Sequence, residues 1–315
     1  KDFFNVPRGI TYIDSAAYSP LTKRSYKSGL VGLRRKYQPW DFDITTPPME
    51  AEKLRGLFAK IIKSSANDIA IINSTSYGIE VAAKNSRIKK EKKILLLENE
   101  FPSNVLSWLR LAKREKAEVF FIERPDDCDW TSAILDNLNG TVSIASLPPY
   151  HWLDGCQIDL IEIGKRCREL NIILIVDATQ AIGATPFDIN KIQPDFLTCS
   201  AYKWLLCPYT LAFLYVAPHR QNGEPLEYHR WNHANPDASI KKSNYFEKLN
   251  SGARRYDMGQ VNNLINFPSA IAALEQIIDW EPKRIKDYLK PLILKIGKKA
   301  ENLGWVTPPD KFRAP

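Results

Sequence analysis

Seven short apolar runs limit what this chain can fold into. They are Ile69–Ile72, Lys93–Leu97, Glu118–Ile122, Val142–Ser146, Ile172–Val176, Phe196–Cys199 and Leu211–Val216. Runs this short, bounded by breakers and rich in β-branched and aromatic residues, read as buried strands. Helical patterns stand between most of them, at Ser76–Ser86, Ser103–Lys116, Trp130–Leu138 and Ile158–Leu170. Such alternation implies a parallel sheet covered on both faces. The expected class is therefore α/β: a three-layer α/β/α large domain around a seven-stranded, mostly parallel sheet. The last two runs are joined by a short non-helical link holding Pro208, which allows the seventh strand to run antiparallel.

The flanks fit this frame. Leu21–Tyr37 and Met49–Lys63 are predicted helices separated by a proline-containing loop, Gln38–Pro48. Ala217–Asn250 is polar and reads as a long loop, a kind that is commonly functional. Leu264–Asp279 and Lys283–Leu303 are predicted helices, with Pro291 expected to kink the second near its start. Residues 1–260 are assigned to the large domain, 1–20 being an extended lead-in and turn. Residues 261–315 are assigned to the start of a small C-terminal domain, which the chain is expected to leave incomplete.

Composition excludes several classes. A hydrophobic content of 44% and a charged content of 25% are ordinary for a soluble globular protein. No apolar run is long enough for a membrane helix, and the first residues lack the apolar core of a signal peptide. The cysteines, Cys128, Cys156, Cys167, Cys199 and Cys207, form no CxxC pair. Reduced thiols in a cytoplasmic protein are expected. Two glycosylation-type triplets, Asn73-Ser74-Thr75 and Asn139-Gly140-Thr141, carry little weight without a secretory signal. The net charge of +8 sits largely in Lys89–Lys93 and Lys283–Lys299. Neither run is interleaved with aromatics, so solvated helix faces are expected and no nucleic-acid or membrane partner.

Chemistry concentrates at strand ends, where open α/β sheets bind ligands. The run Ile172–Val176 ends on Asp177, and Phe196–Cys199 delivers Ser200-Ala201-Tyr202-Lys203. Lys203 reads either as a snorkelling lysine or, held against apolar neighbours, as an amine nucleophile. Asp177 reads as a helix cap or as a partner for a cationic ligand atom. Asn73-Ser74-Thr75-Ser76-Tyr77-Gly78 precedes a helix and reads as an N-cap or as an anion cradle. His229 and His233 have helical metal spacing, but Pro236 and the surrounding asparagines oppose a helix there, so no metal is expected. A Schiff-base lysine, an aspartate for a pyridinium nitrogen and a phosphate cradle are the parts of a pyridoxal phosphate site.

In order along the chain, Tyr12-Ile-Asp-Ser-Ala-Ala17, Asn73–Gly78, Glu100-Phe-Pro-Ser-Asn104, Asp177-Ala-Thr-Gln180, Ser200–Lys203 and Met258-Gly-Gln260 resemble the class V aminotransferase family of fold-type-I pyridoxal phosphate enzymes. That family includes cysteine desulfurases, kynureninase-like hydrolases and isopenicillin-N-epimerase-like proteins. The resemblance implies that Lys203 carries the Schiff base and shuttles the Cα proton, and that Asp177 pairs with the pyridine nitrogen. It implies that Gln180 bonds the phenolic oxygen and that Phe101 stacks on the ring. It assigns the phosphate to Thr75, Ser76, Ser200 and Tyr202, and Gln260 to a phosphate across a homodimer interface. His151 or Trp152 falls where the family places a residue near cofactor or substrate.

Two departures follow. Cysteine desulfurases carry a His where this chain has Phe101, and kynureninases carry a His at the position of Gln180. The family's small C-terminal domain supplies the Arg that clamps the substrate carboxylate; Arg254, Arg255 and Arg313 are the candidates here. The implied function is a pyridoxal phosphate-dependent lyase, desulfurase-like, or an aminotransferase acting on a small amino acid. The alternative is a non-catalytic protein of the same fold, kept for binding or as a scaffold.

Overall fold

The computed structural model describes residues 2–88, 91–234 and 248–315. In it the seven runs pair into one sheet. Its strands are β1 (Ile69–Ile72), β2 (Lys93–Leu97), β3 (Glu118–Ile122), β4 (Val142–Leu147), β5 (Ile173–Asp177), β6 (Phe196–Ser200) and β7 (Ala212–Val216), in the order β1-β7-β6-β5-β4-β2-β3. β7 runs against both neighbours, and all other adjacent pairs are parallel. The link before β7 explains the reversal. It closes on itself through Cys207 N to Ala201 O at 3.0 Å and Ala201 N to Leu211 O at 2.9 Å, too tight for a crossover.

Side chains alternate between two cores. β1 sends Ile69 and Ile71 to one face and Ala70 and Ile72 to the other. The first face is covered by α2 (Thr46–Ile62), α5 (Trp130–Asn137), α6 (Leu160–Leu170) and the helix Phe267–Trp280. The second is covered by α3 (Thr75–Lys84) and α4 (Leu106–Glu115). Both faces are therefore apolar, which is why the strands read as continuous runs.

The free edge of β1 is closed by a buried ion pair. Arg55 on α2 donates to Asp257 Oδ1 and to Ile69 O, both at 2.8 Å, and Ile71 N donates to the same Asp257 oxygen at 2.8 Å. Met258 N then bonds Ile71 O at 3.0 Å. This short extended segment takes the place of a further strand and satisfies an edge that would otherwise be open.

Several boundaries differ from expectation. α2 begins at Thr46, because Pro47 and Pro48 occupy the first turn, where a missing N–H costs nothing. α4 begins at Leu106 after a separate 3₁₀ turn, Pro102–Asn104. Pro291 lies near the middle of the helix Pro282–Asn302, not near its start. α1 (Lys23–Tyr37) matches expectation apart from its first residues, where Thr22 caps it through Ser25 N. The expected loop 217–250 carries 3₁₀ turns at Pro218–Arg220 and Arg230–Asn232. Its residues 235–247, with Lys89 and Lys90 of the first basic run, lie outside the described residues. Among the described residues, no helix is long and apolar enough to cross a membrane.

Candidate active site

The carboxyl ends of β1, β2, β4, β5 and β6 open onto one cavity of about 280 Å³. Thr75, Ser76, Phe101, Asp177, Gln180, Ser200, Tyr202 and Lys203 all line it. Segments far apart in sequence are thus brought together by the parallel topology, as the strand-end argument required.

Two glycines set how closely these segments approach. A Cβ at Gly78 would meet Thr198 Oγ1 at 2.6 Å, so only glycine lets α3 settle on β6 with its first turn at the cavity. Gly183 has φ +105 and lies so near Trp204 that a Cβ would meet its carbonyl oxygen at 2.3 Å. The loop after β5 therefore packs directly behind the Lys203 segment. Ser19 ties the same segment from the other side, donating to the carbonyls of Tyr202 and Lys203.

At one end of the cavity three hydroxyls meet. Thr75 Oγ1 lies 2.8 Å from Ser200 Oγ and 2.9 Å from Thr179 Oγ1. Thr179 Oγ1 also accepts from Ser200 N at 3.1 Å. Ser74 caps α3 by accepting from Tyr77 N at 3.2 Å, so the cap and the hydroxyl cluster coexist. Such donors at a helix N-terminus suit a phosphate.

Asp177 is buried and accepts from Thr179 N at 3.0 Å. Burial raises its carboxyl above the usual range, while Thr179 and the nearby Lys203 pull it back towards ionisation. Lys203 is buried too. Desolvation lowers its ammonium from the usual lysine value, and Asp177 opposes that shift. Nζ lies 5.5 Å from the Phe101 ring centre and 6.0 Å from that of Tyr202. Gln180 donates to Ala16 O at 3.3 Å and accepts from Trp204 Nε1 at 2.8 Å. A carboxylate, a weakened ammonium, an aromatic face and a hydroxyl cluster on one wall form a donor set that fits a pyridine ring bearing a phosphate.

Sequence reasoning missed several lining residues. Thr179, inside Asp-x-x-Gln, supplies the third hydroxyl. Glu100, the acid directly before Phe101, turns into the cavity. Tyr209 stacks on Tyr202 with centroids 4.2 Å apart. Of the two residues expected near the ligand, Trp152 lines the cavity, packs edge-on against Phe101 at 5.4 Å and bonds Asn99 O at 2.7 Å, so it props the turn that presents Phe101. His151 lies beneath, bonding Glu98 O at 3.1 Å.

Other expected residues fall elsewhere. Gln260 does not line the cavity of its own chain; it is exposed, with φ +57. Arg254 is engaged with Glu52 and Asn67, Arg255 with Asn250 O and Gly223 O, and Arg313 with Glu301 and Asp310. None of the three lines the cavity. His229 bonds Asp257 O and His233 bonds His229 O. Among the described residues no group of His, Cys, Asp or Glu could hold a metal ion.

Comparison with known proteins adds to this geometry. A profile of the family described as aminotransferase class-V matches residues 46–253. The chain is similar to a probable cysteine desulfurase of Mycoplasma genitalium, at 31% identity over 49% of this chain and 38% of the relative. It is also similar to an isopenicillin N epimerase of Streptomyces clavuligerus, at 23% identity over 73% of this chain and 59% of the relative. The matched stretches thus span about two fifths and three fifths of those relatives. Among solved structures, a cysteine desulfurase of Thermococcus onnurineus superposes with a TM-score of 0.79 at 19% identity, over 97% of this chain and 77% of that one. The cystine C–S lyase C-DES, in complex with cysteine persulfide, superposes with a TM-score of 0.76 at 18% identity, over 87% and 73%. At these identities the superpositions establish the fold.

Proposed function

The chain belongs to the aminotransferase class-V family, and from that membership we propose that it is a pyridoxal phosphate-dependent enzyme acting on a small amino acid through a Schiff base on Lys203, by lyase-type elimination or amino-group transfer. The observation that carries the reading is the meeting of Asp177, Lys203 and the Thr75–Thr179–Ser200 hydroxyl cluster in one cavity. When bound, the cofactor supplies an electron sink for a bond broken at the substrate's Cα.

The chain's own residues do the rest. Buried Lys203 loses its proton more readily than a surface lysine, so its free amine is available to attack a carbonyl and then to hold a proton. Asp177, buried beside Thr179 and Lys203, offers a carboxyl group that can keep a facing ring nitrogen protonated. Thr75, Ser76, Ser200 and Tyr202 offer donors to a phosphate, and Phe101 offers an apolar face to the ring. Gln180, fixed by Trp204 and Ala16, can bond a ring oxygen.

Among the described residues no thiol lines the cavity. Burial raises Cys156, Cys167, Cys199 and Cys207 above the usual thiol value, which keeps them protonated and unreactive. These four buried thiols are not placed to act at this cavity. The free thiols support a reducing compartment, the cytoplasm. The exposed stripe Tyr26, Leu30, Leu33 and Tyr37 on α1, and exposed Gln260, support a homodimer with shared sites.

The test is to load the purified protein with pyridoxal phosphate and screen small amino acids, cysteine and cystine included. Release of a 2-oxo acid with ammonia marks a lyase; transfer to an acceptor oxo acid marks an aminotransferase. Retained cofactor without turnover favours the binding-protein alternative, and failure to bind the cofactor contradicts the reading.

A further inference from the structure

Glu100 follows β2 and is almost fully buried, at 8% exposure, in the wall of the cavity. Its Oε1 accepts from Phe101 N at 2.6 Å. Its Oε2 is buried with no hydrogen-bond partner among the described residues. A bare, buried carboxylate oxygen is costly when charged and much less so when it carries a proton.

Charged and polar groups face it from three elements. Asp177, at the end of β5, opposes its ionisation. His151, in the loop after β4, favours it; that ring lies 3.3 Å from Asp154, which is paired with Arg124 at 2.9 Å. Asn104, in the 3₁₀ turn, also favours it, and its Nδ2 is buried without a partner among the described residues. Asp177 is better provided: Thr179 contributes backbone and side-chain bonds, and Lys203 contributes a cation. Of two carboxyls lining one cavity, the one with more donors and a cation beside it keeps the charge more readily, and the other takes the proton more readily.

We propose that Glu100 is a proton-linked residue of the cofactor pocket, taking up a proton as a pyridine phosphate fills the cavity, so that capture of the cofactor weakens as the solution becomes alkaline. The inference rests on the cofactor reading above. Burial already brings the free carboxyl up to about 7, within reach of ordinary changes in pH. A phosphate ester adds negative charge to the cavity that Glu100 lines, and this favours the protonated form. Affinity then falls as pH rises through the carboxyl's range. Glu100 acts through the pocket's charge, not on the reacting bond.

The experiment uses pyridoxine 5′-phosphate, which has no aldehyde and leaves the Lys203 amine unreacted. Its dissociation constant is measured from about pH 6 to about pH 8.5 for the native protein and for Glu100→Gln; their comparison cancels titration of the ligand and of Lys203. The native protein should lose affinity relative to the variant, approaching about tenfold per pH unit at the alkaline end. Parallel profiles overturn the proposal while leaving the cofactor reading intact. Absence of binding by both proteins at every pH overturns the cofactor reading and the proposal with it. If Glu100→Gln does not fold, as judged by circular dichroism, Glu100→Asp replaces it. That variant must then shift the midpoint of the profile, and an unmoved midpoint is contradictory.

Discussion

The ammonium of Lys203 lies 5.5 Å from the centre of the Phe101 ring, although the two residues leave different strands on different parts of the sheet. The approach depends on supports behind each residue. Gly183 and Ser19 hold the Lys203 segment, and Trp152 props the turn that presents Phe101. The lysine is therefore presented beside an aromatic face by backbone packing, with Asp177 on the adjoining strand.

Asp177→Asn keeps the shape of the side chain and removes its charge. With saturating cofactor, kcat should fall by about 10²–10³, the usual effect of deleting one preorganised electrostatic element. Cofactor affinity should change much less, because the hydroxyl cluster and the α3 N-terminus are untouched. Steady-state kinetics and a binding titration separate the two effects.

Glu100 should make the stability of the cofactor-free fold depend on pH. Its folded value of about 7 lies above the ordinary 4.5. The stability it contributes is present below about pH 4.5 and is lost as pH rises through about 7, roughly 3 kcal/mol in all. Urea unfolding at intervals across this window should show the decline in the native protein and a flatter profile in Glu100→Gln. Equal slopes count against the assignment.

The pair Arg55–Asp257 should be costly to break from one side. Asp257→Ala leaves the buried guanidinium with Glu52 as its remaining carboxylate partner and also removes the acceptor for Ile71 N, so a loss of about 3 kcal/mol is expected. Replacing both residues by apolar ones should cost less than Asp257→Ala alone. Denaturant midpoints test the order.

Most of the sheet was legible because both faces are buried: every residue of β1, β4, β6 and β7 is buried, and most of them are apolar. The reversal of β7 was legible through Pro208 and the shortness of its link. The start of α2 was not, since Pro47 and Pro48 read as loop residues until they are seen in a first helical turn. Asp177 and Lys203 could be read at strand ends. Glu100 and Thr179 could not: their roles come from depth and from what faces them, which depend on strand order. The engagement of the three candidate arginines was not legible for the same reason: each meets acceptors supplied by the fold and stands away from the cavity of its own chain.

The central claim is that Lys203 is the residue that binds the cofactor covalently. Protein loaded with pyridoxal phosphate should be reduced with borohydride, digested, and the modified peptide sequenced by mass spectrometry. The account predicts a single pyridoxyl adduct on Lys203 that is absent from Lys203→Ala. An adduct on another lysine, or none in the native protein, would contradict it.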